Sequence, residues 1–127
     1  MKKFFLALFL TSIVTISIAA KTFTVGVENI NYYPYYSTEN DAYIGFSREV
    51  LDMFSQDNNH TFIYKSLPIK RLYGEFIKGA VDFKYPDNSD WASDKKSDKK
   101  IFYSSPIIEI IDALMVKPSN IDKSVML

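Results

Sequence analysis

Beyond an apolar stretch at its start, the chain alternates between hydrophobic repeats of period two and of period near 3.6. Residues 22–28, Thr-Phe-Thr-Val-Gly-Val-Glu, alternate β-branched and aromatic positions and predict a strand. An aromatic loop follows, Asn29-Ile30-Asn31-Tyr32-Tyr33-Pro34-Tyr35-Tyr36, and then a polar turn over 37–44 that suits a small hairpin. Gly45-Phe46-Ser47 opens a first helix, with Ser47 as the expected N-cap. Phe46, Val50, Met53 and Phe54 form its expected apolar stripe. Asp57-Asn58-Asn59 ends it, and residues 61–66 predict a second strand with Phe62 and Tyr64 on one face. Pro68 opens a second helix, where the missing N–H costs nothing. Ile69, Leu72, Tyr73, Phe76 and Ile77 repeat at helical spacing, and Gly79 fits a left-handed cap. Residues 80–85 predict a third strand and 107–117 a last one. Between them, 86–100 is polar apart from Trp91, and Asp94–Lys100 reads as a solvated surface loop.

Strands alternating with helices predict an α/β layer with a mainly parallel sheet. In such sheets ligands bind beyond the carboxyl ends of the strands. That rule brings three segments to one rim: the loop Tyr32–Tyr36, the start of the second helix near Arg71, and the loop Pro86–Trp91.

The N-terminus adds a destination. Lys2 and Lys3 precede an apolar run from Phe4 to Ile18, and Ser17-Ile18-Ala19 fits a small-x-small cleavage site, with cleavage after Ala20 close behind. Residues 1–20 therefore read as a secretory signal peptide. The apolar run, about 15 residues, falls short of the roughly 20 that span a bilayer. Without it, thirteen basic side chains face fifteen acidic ones, a net charge of −2. That balance gives no attraction for nucleic acid or for an acidic membrane surface. The expected location is the periplasm, with membrane contact only through the signal peptide.

Composition narrows the chemistry. Aromatic residues make up 16% of the 127-residue chain, nine of them tyrosines. Tyrosine's apolar face and polar tip suit a cleft for a sugar, an amine or an amino acid. The chain has no cysteine and one histidine, His60, in a turn. A zinc site, a disulfide framework and a lipid-bearing N-terminal cysteine are thereby excluded. No nucleophile motif or phosphate-binding glycine loop occurs, so neither catalysis nor a cofactor is expected.

Four segments together resemble one family. Tyr33-Pro34-Tyr35 follows an exported strand, Gly45-Phe46-Ser47 opens a helix, Gly79-Ala80-Val81-Asp82 closes the second helix, and Tyr103-Ser104-Ser105-Pro106 precedes an apolar run. In that order and spacing they resemble the extracellular solute-binding proteins of family 3, the polar amino-acid-binding class of type II periplasmic binding proteins. The resemblance covers about residues 22–118. It implies two α/β lobes joined by a hinge, of which residues 21–118 are the first, with 119–127 an unstructured tail. It also implies a role in delivering a small polar solute to an ABC-transporter permease. Full-length members are roughly twice as long, so the resemblance makes this chain a truncated one. Members that bind amino acids grip the carboxylate with a threonine and a nearby arginine after the third strand. Here Asp87-Asn88-Ser89-Asp90-Trp91 and the residues after it contain no arginine. Arg71, in the first turn of the second helix, is the candidate replacement.

The candidate ligand residues are Tyr33, Tyr35, Arg71, Asp87, Asn88, Trp91 and Ser104, each with a plainer alternative. The two tyrosines can pack on the lobe's own edge. Arg71 can pair with Glu75 at i+4, and Pro-Asp-Asn is ordinary turn chemistry. Three other functions stay open: a ligand-sensing input domain of a signalling protein, an accessory domain of a peptidoglycan-cleaving enzyme, and a gene fragment without function.

Overall fold

A computed structural model describes residues 19–120 except Leu114. The predicted signal peptide falls almost entirely outside the described residues. Strand β1 (Lys21–Glu28) is followed by a hairpin of β2 (Ser37–Glu39) and β3 (Ala42–Ile44), helix α1 (Phe46–Asp57) and strand β4 (His60–Leu67). Helix α2 (Ile69–Ile77), strand β5 (Phe83–Tyr85) and the single turn α3 (Ser93–Lys96) complete the order.

The three long-range strands form a parallel sheet in the order β4-β1-β5. β1 is central, with Lys21 opposite His60 at one end and Glu28 opposite Leu67 at the other. The chain leaves β1 through α1 to reach β4, then returns through α2 past β1 to β5. Opposite directions of travel with one crossover hand set the helices on opposite faces. On the α1 face, Val25 and Val27 are fully buried with Tyr36 and Tyr43, and Phe62, Tyr64 and Tyr85 pack against them. On the α2 face the backbone itself is the contact. A Cβ on Gly26 would lie 2.5 Å from Leu72 Cδ1 and 3.1 Å from Val81 Cγ2, so only glycine lets α2 sit this close.

Helix α1 turns differently from its expected stripe. Met53 and Phe54 are 64% and 52% exposed, whereas Ser47 and Ser55 are buried. The tyrosine layer explains this. Its rings already fill the space above the sheet, so the helix approaches through small side chains, and the Ser47 hydroxyl bonds Tyr85 Oη at 2.9 Å. Ser47 is thus not the N-cap. Gly45 holds that position, at φ 105.

Two predicted strands change. The third shrinks to β5, because Asp82 approaches β1 through its side chain. Its carboxylate accepts from Thr24 N at 2.7 Å while its own N–H donates to Thr24 O at 2.9 Å. The last strand does not form among the described residues of 107–117. Ile111 and Met115 are 87% and 94% exposed. β-propensity needs a neighbouring strand to satisfy the backbone, and none pairs with this run. Of the expected tail, Ser119 and Asn120 belong to a 3-10 turn that starts at Pro118, and 121–127 lie outside the described residues.

Packing at Gly26 sets an expected outcome. Gly26→Ala lowers stability by about 1–3 kcal/mol in urea unfolding. Gly74→Ala, where an added Cβ meets nothing within 4 Å, raises it by about 1 kcal/mol. Equal effects at the two sites would refute the close approach of α2.

Candidate functional site

In an open parallel sheet the crevice forms at the carboxyl ends of the two strands from which the chain departs in opposite directions. Here the chain departs from β1 toward β4 and from β4 back past β1 to β5, so the crevice belongs to the carboxyl end of this sheet, where β1 and β5 lie side by side. Glu28 is the last residue of β1, and Lys84 is the second of β5. Strand alternation turns both toward the α2 side, away from water.

These two side chains begin a buried polar cluster. The Lys84 side chain is 1% exposed. Its Nζ lies 3.4 Å from Asp87 Oδ1 and 4.0 Å from Glu28 Oε1, over the ring of Tyr73 at 4.2 Å. It also donates to the carbonyl of Pro86. Asp87 accepts from Tyr73 Oη at 2.7 Å and from Tyr103 Oη at 3.1 Å. Lys96 Nζ stands 3.4 Å from the Asp87 carboxylate, and donates to Asn88 O at 2.7 Å and to Tyr103 Oη at 2.8 Å. Glu28 accepts from Tyr36 Oη at 3.2 Å. Two carboxylates thus balance two ammonium groups.

The environment shifts these groups unequally. Burial pushes the Glu28 carboxyl up from its ordinary value, against the Lys84 charge and the Tyr36 hydrogen bond. Burial likewise pulls the Lys84 ammonium down, opposed by Asp87 and Glu28. Asp87 goes the other way. Burial alone would raise it, but the Tyr73 and Tyr103 hydroxyls and the charges of Lys84 and Lys96 together hold it below the ordinary carboxyl value.

The aromatic loop is held beside this cluster by backbone bonds. Tyr32 and Tyr36 form a two-way bridge, N–H to O at 2.8 and 3.1 Å. The carbonyls of Pro34 and Tyr35 then accept from the N–H groups of Phe46 and Ser47 at 3.0 and 2.9 Å. The loop therefore satisfies the open N–H groups at the start of α1 and is fixed by them. Tyr33 is left 68% exposed, while Tyr35 is half-buried against the core and stands 5.3 Å from the Tyr32 ring.

The other candidates have differing freedom. Arg71 lies in the first turn of α2, exposed, its Nε 3.9 Å from Glu75 Oε1. Asp87 is committed to the cluster. Asn88 forms a turn, its Oδ1 accepting from Asp90 N at 2.9 Å. Trp91 follows that turn and is 52% exposed. Ser104 donates to Ser105 O at 2.8 Å and is exposed, next to Tyr103 of the cluster. Asp94–Lys100 is not simply a solvated loop. It contains α3 and carries the buried Lys96 into the cluster. Sequence reasoning missed Glu28, Lys84 and Lys96. For Glu28 and Lys84 the available signal was a charge in a strand, at a position whose alternation buries it, whereas Lys96, in a single helical turn, had no such signal.

No protein-family profile matches the chain, and no curated protein does. Among solved structures the chain is similar to the L-cystine solute receptor of Neisseria gonorrhoeae in its unliganded open conformation. The TM-score is 0.50 at 18% identity, over 61% of this chain and 33% of the receptor. The match thus spans about a third of the receptor's length. The likeness is one of fold: a mainly parallel sheet with flanking helices, as in one lobe of a periplasmic binding protein.

The Asp87 node has a pH signature. Asp87→Asn leaves two buried ammonium groups facing an amide and is expected to cost about 3 kcal/mol near neutral pH. A carboxyl held low in the folded state contributes its stability above its unfolded value and loses it as pH falls through the folded value. The gap between parent and variant should therefore close in acid, measured by urea unfolding at a series of pH values. A gap that persists below the range of carboxylate titration would refute the ionic role.

Proposed function

We propose that this chain is a solute-binding lobe that holds a small polar solute, such as an amino acid or a related compound, and works by binding rather than by catalysis. The observation that carries the reading is the site itself. A closed ionic cluster sits at the carboxyl ends of β1 and β5, the backbone-anchored tyrosine loop follows β1, and the exposed Trp91 stands in the loop that follows β5. Ligand pockets combine apolar walls with a few fixed polar groups. Tyr33, Tyr35 and Trp91 supply stacking faces, and Arg71 a cation for a carboxylate, with Glu75 as its resting partner. Asn88 and Ser104 add polar contacts, and Asp87 organises the floor from below.

In this reading the protein acts in the periplasm and passes its solute to an ABC-transporter permease, with hinge closure against a second lobe. Support comes from the signal-peptide pattern at residues 1–20, from the family resemblance, and from likeness of fold to a solute receptor. That receptor's L-cystine is the natural first solute to try.

Trp91, the sole tryptophan, makes the test direct. The chain is titrated with L-cystine, the common amino acids, sugars and polyamines, following Trp91 emission and thermal unfolding. A bound solute is expected to shift both, since a ligand that binds only the folded state raises its stability. Tyr33→Ala should then weaken binding about tenfold. If the whole panel leaves emission and melting unchanged, the solute-binding reading fails.

A further inference from the structure

Helix α2 carries a second feature, which shares Tyr73 with the ionic cluster and runs from there along the helix. One groove is lined by Lys70, Tyr73, Gly74, Ile77, Lys78 and Lys95. It shares Ile77 and Lys78 with a neighbouring groove that adds Phe76, Lys99, Lys100 and Ile101. The two form one strip with an apolar floor and five lysines along it.

Those lysines differ from five of the seven other cations among the described residues, Lys21 and Lys117 being likewise without an ion pair. Arg48, Lys65, Arg71, Lys84 and Lys96 each pair with a carboxylate. Among the described residues, none of the five groove lysines makes an ion pair. Asp94 and Asp98 lie in the same segment as Lys95, Lys99 and Lys100, and Lys78 acts on Glu75, yet five lysines leave the strip an excess of positive charge that an acidic partner would offset. Gly74 is the second observation. A glycine inside a helix costs about 1 kcal/mol relative to alanine. Nothing crowds Gly74, since an added Cβ would meet no atom within 4 Å. Its missing side chain keeps the floor of the strip open.

We propose that this strip is a docking site for an acidic segment of a partner protein, one in which apolar side chains alternate with carboxylates. Charge complementarity selects the sign of the partner, and shape selects its class. A bilayer surface would meet the lysines but would not fill the recess beside Gly74. A free phosphate would meet the lysines but leave Phe76, Ile77 and Ile101 uncovered. A peptide satisfies both.

The test uses a short labelled peptide of glutamates with leucine at every fourth position, titrated with the full chain and read by fluorescence anisotropy. It binds, and binding weakens as salt is raised toward physiological strength. The counterpart with lysine in place of glutamate does not bind. Lys78→Glu combined with Lys99→Glu weakens binding about tenfold. Gly74→Met leaves every charge in place, fills the floor, and weakens binding as well. The two variants alter different features, so misfolding of one, seen by circular dichroism, leaves the other decisive. Undiminished binding by a folded variant or equal binding of the lysine peptide overturns the proposal. So does complete displacement of the peptide by inorganic phosphate or by phosphatidylglycerol vesicles.

Discussion

The arrangement of this lobe depends on burying Asp87 with its counter-charges. An isolated carboxylate out of water is costly, and so is an isolated ammonium. Lys84 and Lys96 offset Asp87 only because tyrosine hydroxyls and backbone carbonyls take up the remaining hydrogen-bonding capacity. The contributors are spread along the chain: Glu28 from β1, Tyr73 from α2, Lys84 from β5, Lys96 from α3, and Tyr103 beyond it. A cluster assembled from five segments is satisfied in one arrangement and badly unsatisfied in most others. A fully connected buried network is acceptable in a fold for that reason, and a partial one is not. The short polar segment from Pro86 to Tyr103 has little apolar area to bury. Its position against α2 follows from these charges.

How much of this was legible in the sequence depended on whether a signal was local. Period-two and period-3.6 patterns placed β1, β4 and α2 nearly at their observed limits, and Pro68 and Gly79 marked the bounds of α2. The parallel sheet followed from alternation alone, but its strand order did not. Where the pattern failed, a tertiary effect outweighed it. Phe46, Met53 and Phe54 make a proper apolar stripe, yet the tyrosine layer had already taken the volume they would fill. Ile107–Lys117 has strand propensity, but a strand is a relation between two segments, and propensity belongs to one. Helix α3 is too short to show a period.

The candidate site divides along the same line. Tyr33, Tyr35 and Trp91 were visible because an aromatic side chain in a polar or proline-bearing loop stands out from its surroundings. Glu28, Lys84 and Lys96 were not, because a buried charge looks like a surface charge until its partners are known. Asp87 stood as a candidate ligand contact with turn chemistry as its plainer alternative, and the structure gives it a different setting, as the acceptor on which two tyrosines and two lysines converge. Arg71 shows the reverse case. Its spacing from Glu75 offered an ion pair from the start, and that pair forms, long and exposed. A loose surface pair contributes little to stability, so Arg71 can exchange its partner at little cost.

That difference in freedom matters for recognition. Groups already held in place lose little further entropy when a ligand arrives, and groups left exposed are the ones that can gain contacts. The loop carrying Tyr33 has its backbone fixed at both ends, through the Tyr32–Tyr36 bridge and through the N-terminus of α1. Its ring is nonetheless largely in water. The floor beneath is the opposite: every charge is matched, and none is open to a solute. If the rim holds a solute as proposed, its affinity comes from stacking and from the few loosely engaged polar groups, while the ionic floor sets their spacing. A solute would be distinguished by the shape of its apolar part and by one charge or hydrogen bond, because the strongest charges of the lobe are already spent on each other.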